Sequence, residues 1–202
     1  MKFTTLAGAV SVAALLAAAP AASAQSMTAQ DHAAQNHSAM GHAEVTVGGA
    51  AMYPTKTIVE NAIASPIHTT LVAAVKAAGL VETLSGPGPF TVFAPTDDAF
   101  AALPAGTVET LVMPENKATL TKILTYHVVA GRVTAADVVA LIEAGGGSAA
   151  LTTVEGGVLT ASLNGATVVL TDEKGGTARV TQADVFQSNG VIHVTDAVSM
   201  PD

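Results

Sequence analysis

The chain contains no cysteine and no tryptophan, and only two tyrosines and five phenylalanines among 202 residues. Without cysteine there is no disulfide framework, no thiolate metal centre, no thiol nucleophile and no attachment point for a bacterial lipoprotein anchor. Charge is also scarce. Lysine and arginine number 8 against 16 acidic residues, giving a net charge of −8. The cations are scattered and have almost no aromatic neighbours, which argues against nucleic acid and against an anionic lipid surface. The sequence holds no G-x-S-x-G, H-E-x-x-H, P-loop or EF-hand pattern. Gly145-Gly146-Gly147 follows a helical stretch, so it reads as a loop and not a phosphate cradle. No internal repeat is visible. Stability has to come from burial. A domain of about 150 residues hides roughly 70% of its unfolded surface, so this is feasible.

What is present begins with a small, apolar run from Leu6 to Ala22, preceded by Lys2. Ala22-Ser23-Ala24 gives the small-x-small pattern of a cleavage site, so residues 1–24 read as a signal peptide. The run is too short and too rich in alanine for a membrane anchor, and no later stretch is long enough to span a bilayer. The expectation is a periplasmic or extracellular protein with no integral membrane segment once mature.

Residues 25–51 are rich in Ala, Gln, Ser and His and hold no Lys or Arg. They read as a disordered linker closed by Gly48-Gly49. Within it His32, His37 and His42 recur every five residues, with Met27 and Met40 among them. Imidazole and thioether together suit a transition-metal ion, copper above all. A spacing of five matches neither a helix face nor a zinc-finger pattern, and a polar linker that merely contains histidine is the competing reading.

The folded domain is expected over residues 52–202. Thr57 with Glu60 forms a capping-box pattern for a first helix, and Pro66 reads as the opening of a second that ends at Gly79. A short helical piece follows over 80–84. Phe90 to Ala94 reads as a strand stopped by Pro95, with Thr96 capping a helix whose first turn holds Asp97 and Asp98. Helices are expected from Thr107 to about Met113, from Pro114 through Leu124, and from Thr134 to Ala144. From Ala149 the period becomes two. Strands are expected over 151–154, 158–163, 167–171, 179–183 and 191–196, with Asn164-Gly165 as a hairpin turn. Helices first and strands after indicate an α+β domain with a largely antiparallel sheet.

Three segments then carry a resemblance: Phe90-Thr91-Val92-Phe93-Ala94-Pro95-Thr96-Asp97-Asp98-Ala99-Phe100, Leu124-Thr125-Tyr126-His127-Val128-Val129, and Asn189-Gly190-Val191-Ile192-His193-Val194-Thr195-Asp196-Ala197-Val198. In this order and spacing they resemble the two signature blocks and the Tyr-His motif of the fasciclin-like domain family, over roughly Met52 to Pro201. The resemblance implies a fasciclin-like fold, an antiparallel-rich β-wedge with several packed α-helices. It implies a non-enzymatic adhesion or surface-interaction module of single-domain, secreted, bacterial type. Its partners would be cell-surface or matrix proteins or polysaccharides. In animal adhesion members that this chain resembles, the Tyr-His segment is implicated in integrin binding, which carries over to Tyr126 and His127. Asp184 matches the acidic position of a short recognition motif in some adhesive relatives, although its flanking residues differ.

Read from the residues alone, the same positions have structural explanations. Asp97 and Asp98 are adjacent on a helix, so their side chains diverge by about 100° and cannot flank one bond. Helix capping accounts for them. His127 has no serine or cysteine motif to serve as base, and a buried histidine satisfied by backbone groups is the competing reading. His193 sits in an apolar strand. No cofactor is expected, and an enzyme is the function the sequence supports least.

Overall fold

A computed structural model describes residues 44–202. The signal peptide expected over residues 1–24 and the histidines and methionines of the expected linker lie outside the described residues. The first described elements fall inside the stretch 25–51 that reads as linker. Strands β1 (Val45–Val47) and β2 (Ala50–Met52) form an antiparallel hairpin across Gly48-Gly49. Val47 is buried in the core, so the folded body starts before Met52. Three-residue strands are too short to show a period, which is why composition masked them.

Helix α1 (Ile58–Ala64) is capped by Thr57, whose hydroxyl accepts from the Glu60 amide while the Glu60 carboxylate accepts from the Thr57 amide. The expected capping box is there. Helix α2 (Thr69–Ala78) ends as expected at Gly79, which has a φ of 75°. It does not open at Pro66. Pro66 lies in a turn, and the helix starts three residues later, where the Asp97 carboxylate accepts from the amides of Thr69 at 3.2 Å and Thr70 at 2.8 Å. An acceptor distant in sequence sets this helix start. Helix α3 (Val81–Ser85) follows. Strand β3 (Phe90–Pro95) leads into α4 (Asp97–Ala101), whose Ala99 amide donates to the Thr96 hydroxyl. Then come α5 (Thr107–Leu111), a 3-10 turn (Pro114–Asn116), α6 (Lys117–Tyr126), β4 (Val128–Ala130) and α7 (Ala135–Ala144).

Five strands complete the chain: β5 (Ser148–Thr152), β6 (Val158–Asn164), β7 (Thr167–Thr171), β8 (Thr177–Gln187) and β9 (Gly190–Thr195). The sheet order is β4-β3-β9-β8-β7-β6-β5. Every pair is antiparallel except β3 with β9, which run parallel with Phe93 opposite His193. The two ends of the sheet approach each other. Val154 donates to the Val128 carbonyl at 2.7 Å, and Val129 bridges Thr153, so the wedge is nearly closed.

Two apolar clusters fill the body. One lies among α1, α2, α3, α6 and the β3–β9–β8 part of the sheet, with Leu71, Val75, Val92, Leu124, Val185 and Ile192. The other joins α7 to the strands, with Phe93, Tyr126, Val138, Ile142, Leu159 and Leu170. Strand β3 serves both, because alternate side chains point to opposite faces: Val92 and Ala94 to the first, Phe93 to the second. Every residue of β9 is buried. This explains why the third signature segment is mainly apolar, with His193 and Thr195 buried along with it, since an interior strand has no solvent face. The strands come very close where they begin. A Cβ on Gly190 would collide with the Phe90 carbonyl, so glycine is required there.

Candidate functional site

The side chains that the sequence marks for binding sit inside the fold or at its joints. Tyr126, the last residue of α6, is fully buried. Its hydroxyl donates to the Val158 carbonyl at 2.8 Å and accepts from the Glu173 amide at 3.3 Å. Burial, with the nearby carboxylates of Glu173, Asp172 and Glu155, pushes its pKa up to about 12, so it stays a neutral phenol. It ties the end of α6 to two strand turns.

His127 is buried beside it. Its Nδ1 lies 2.8 Å from the Ile123 carbonyl, and its Nε2 accepts from the Ser199 amide at 3.0 Å. A carbonyl can only accept and an amide can only donate. The ring is therefore neutral, with its proton on Nδ1. Burial lowers its pKa, against the opposing pull of the Ile123 carbonyl. Neither nitrogen is left for a general base.

Asp184 occupies an irregular stretch of β8, within the second of two register shifts against β9, with a φ of 57°. Its Oδ1 accepts from the Ala135 amide at 2.8 Å, so it caps α7 from outside, alongside the Thr134–Asp137 capping box. Its own amide donates to His193 Nδ1 at 3.3 Å, and His193 Nε2 donates to the Val133 carbonyl at 2.9 Å. His193 also stacks on Phe93, with centroids 5.5 Å apart. Burial lowers the His193 pKa. Tyr126 and His127 are neighbours in the chain, while Asp184 belongs with His193 and the start of α7. The structure gives the three no common face.

Asp97 and Asp98 separate in role. Burial works to raise the Asp97 pKa, but hydrogen bonds from Thr69 and Thr70 outweigh it and leave the carboxyl below its ordinary range. Asp97 thus caps α2, while both aspartates also favour the N-terminus of α4.

Two buried polar residues escape sequence reasoning. Asn189 accepts from the Ile58 amide at 3.0 Å through Oδ1, and Nδ2 donates to the carbonyls of Leu84 and Gly86. It joins α1, α3 and β9 at one point. The only sequence signal is its place before Gly190, which reads as an ordinary turn. His68, just ahead of α2, is 3% exposed. Its Nδ1 lies 2.8 Å from the Ser65 hydroxyl, and its Nε2 has no hydrogen-bond partner. Burial lowers the His68 pKa, opposed by the Asp97 charge and the Ala94 carbonyl.

His68 lines a cavity of about 40 Å³ within the helix-side cluster, whose other walls include Leu71, Val75, Leu84, Val92 and Ile192. Among the described residues no group of three or more His, Asp or Glu is placed to hold a metal ion. None of their helices is long and apolar enough to cross a membrane.

Comparison with known proteins agrees with this architecture. A fasciclin domain model matches residues 66–201. The chain is similar to protein sll1483 of Synechocystis, with 54% identity over 155 residues that cover 77% of this chain and 79% of the relative. It is 35% identical over 165 residues to immunogenic protein MPB70 of Mycobacterium bovis, covering 77% and 73% of the two chains. Among solved structures, a FAS1 domain pair from the insect cell adhesion molecule Fasciclin I superposes with a TM-score of 0.64 at 22% identity. That match covers 72% of this chain and 51% of the other. With both signature strands paired inside the sheet and the family pattern running from Pro66 to the final proline, the chain belongs to the fasciclin domain family.

Proposed function

We propose that this chain is an exported, non-catalytic module that works by surface contact, in adhesion or in binding other components of the cell envelope. The observation that carries this reading is the commitment of the polar groups in the three signature segments and at Asp184. The side chains of Tyr126, His127, Asp184 and His193 are engaged in bonds that hold elements together. A catalyst needs a nucleophile and an oriented base free to meet a substrate. The solved structure with the same fold comes from a cell adhesion molecule, which agrees. The partner classes are cell-surface or matrix proteins or polysaccharides. They would meet the outer faces of the domain, because Tyr126 and His127 are buried. The test is binding of the purified chain to cells and extracellular matrix of the producing organism, with a deletion strain scored for surface attachment. Saturable binding and a loss of attachment are expected. No binding and unchanged attachment would overturn the reading.

A second reading rests on the sequence of the N-terminal stretch, where His32, His37, His42, Met27 and Met40 gather within sixteen positions, from 27 to 42. These residues would buffer a transition-metal ion such as copper. Calorimetric titration of the full chain and of a form lacking 25–43 separates the readings. Equal heats from both would remove this one.

A further inference from the structure

We propose that the helix-side cavity is a binding site for a small, largely apolar molecule carrying one hydrogen-bonding oxygen, such as a short-chain alcohol. The cavity volume is about 40 Å³, and nearly all its walls are aliphatic. His127 and His68 are the imidazoles in its lining. Both nitrogens of His127 are committed. The unpartnered Nε2 of His68 is therefore the one ring atom in the lining with hydrogen-bonding capacity to spare.

Water fits this chemistry poorly. A buried water is held by two to four polar partners, and here the lining brings only His68 Nε2 and the Ala94 carbonyl near the ring, the low end of that range. An empty cavity leaves a buried polar atom without a bond, which is costly. A molecule with a single oxygen and an apolar remainder satisfies His68 and keeps its other atoms against carbon. Both tautomers allow this. If the Ser65 hydroxyl donates to Nδ1, then Nε2 carries the proton and donates to the ligand oxygen. If Nδ1 donates to the Ser65 oxygen, Nε2 accepts from a ligand hydroxyl. An alcohol serves either case, and a ketone only the first.

Size and access follow from the walls. About 40 Å³ corresponds to roughly three water-sized spheres, enough for a fragment of a few non-hydrogen atoms. Lys76 is an exposed lining residue, while Ala62, Val72 and Val81 are half-buried. They belong to α1, α2 and α3, so the way in lies between these helices. A longer chain would enter by parting α1 from α2.

The test uses the full chain with three probes: 1-propanol, 2-butanone and xenon. Binding is followed by NMR through the methyl groups of Leu71, Val75 and Ile192 and the ring nitrogens of His68. Saturable shifts confined to these residues are expected with 1-propanol and xenon. His68→Phe should weaken 1-propanol about fivefold, the worth of one hydrogen bond, and leave xenon within about twofold. The response to 2-butanone assigns the tautomer: binding places the proton on Nε2, and failure places it on Nδ1, given that 1-propanol binds. His68→Leu repeats the comparison if the first variant does not fold. Shifts that never saturate, shifts spread over the surface, or an equal loss of both probes on removing His68 would overturn the proposal.

Discussion

On the α7 side of the sheet, His193 bonds at both ring nitrogens and lies against Phe93; on the helical side, His68 bonds at one nitrogen, and its other nitrogen is buried without a hydrogen-bond partner. The two residues are equally hidden, at 2% and 3% exposure. The difference lies in what surrounds them. His193 stands in a strand, where the bulge at Asp184 and the loop at Val133 bring backbone groups to it. His68 stands at the mouth of a helix, among side chains that are aliphatic. His127 shows that the helical side can satisfy a buried imidazole when the end of α6 and the C-terminal segment converge on it. Among the three buried imidazoles, incomplete satisfaction is therefore confined to His68.

Acid should produce the largest effect. Burial lowers the pKa of His68, His127 and His193 below their ordinary 6.5. The unfolded chain then takes up protons first as pH falls below about 6.5, so stability is complete above that pH and lost beneath it. Each group contributes about 1.4 kcal/mol per pH unit at most, and three give about 4 kcal/mol per unit at the steepest point. Urea unfolding at pH 7, 6 and 5 measures the slope. His68→Phe should reduce it by about a third. A stability unchanged between pH 7 and 5 would show that the buried rings take up protons as readily in the folded chain as in the unfolded one.

Replacing each ring at neutral pH sharpens the contrast. His193→Phe leaves the Val133 carbonyl and the Asp184 amide without partners and should cost about 2–4 kcal/mol. His68→Phe removes an unsatisfied atom and frees only the Ser65 hydroxyl, so the change should stay within about 1 kcal/mol. Thermal and urea unfolding check the pair. Similar losses at the two positions would break the comparison.

The smallest effect expected is at the aspartate pair. Asp97→Asn weakens the cap on α2 and should cost about 1 kcal/mol, whereas Asp98→Asn should stay within about 0.5 kcal/mol. Equal effects in urea unfolding would mean that Asp97 acts only on its own helix.

This pair also shows where the sequence stops being legible. The Thr57–Glu60 box, the Thr96 and Thr134 caps, the Gly79 ending and the Asn164-Gly165 hairpin are local patterns, and each could be read within a few residues. The role of Asp97 at α2, of Asp184 at α7 and of Asn189 at α1 and α3 depends on contacts 27 to 131 positions apart. No window shows such a partner. Pro66 misled for the same reason, because the acceptor that fixes the start of α2 lies beyond β3. The parallel pairing of β3 with β9 was equally hidden, since alternation and turns describe a strand but not its neighbour. His68 gave no signal, as a single histidine between Ile67 and Thr69 looks like any polar helix start.

The pairing of β3 with β9 also bears on how the molecule is made. The last strand lies in the middle of the sheet, against a partner from the first half of the chain. The ladder between β3 and β9 cannot assemble until Gly190–Thr195 has left the ribosome. Such long-range pairings close late and slowly. Until then β3 lacks its parallel partner and β8 one of its two neighbours. Shortening the chain ahead of Gly190 would remove the strand that joins β3 to β8 and so divide the sheet in two.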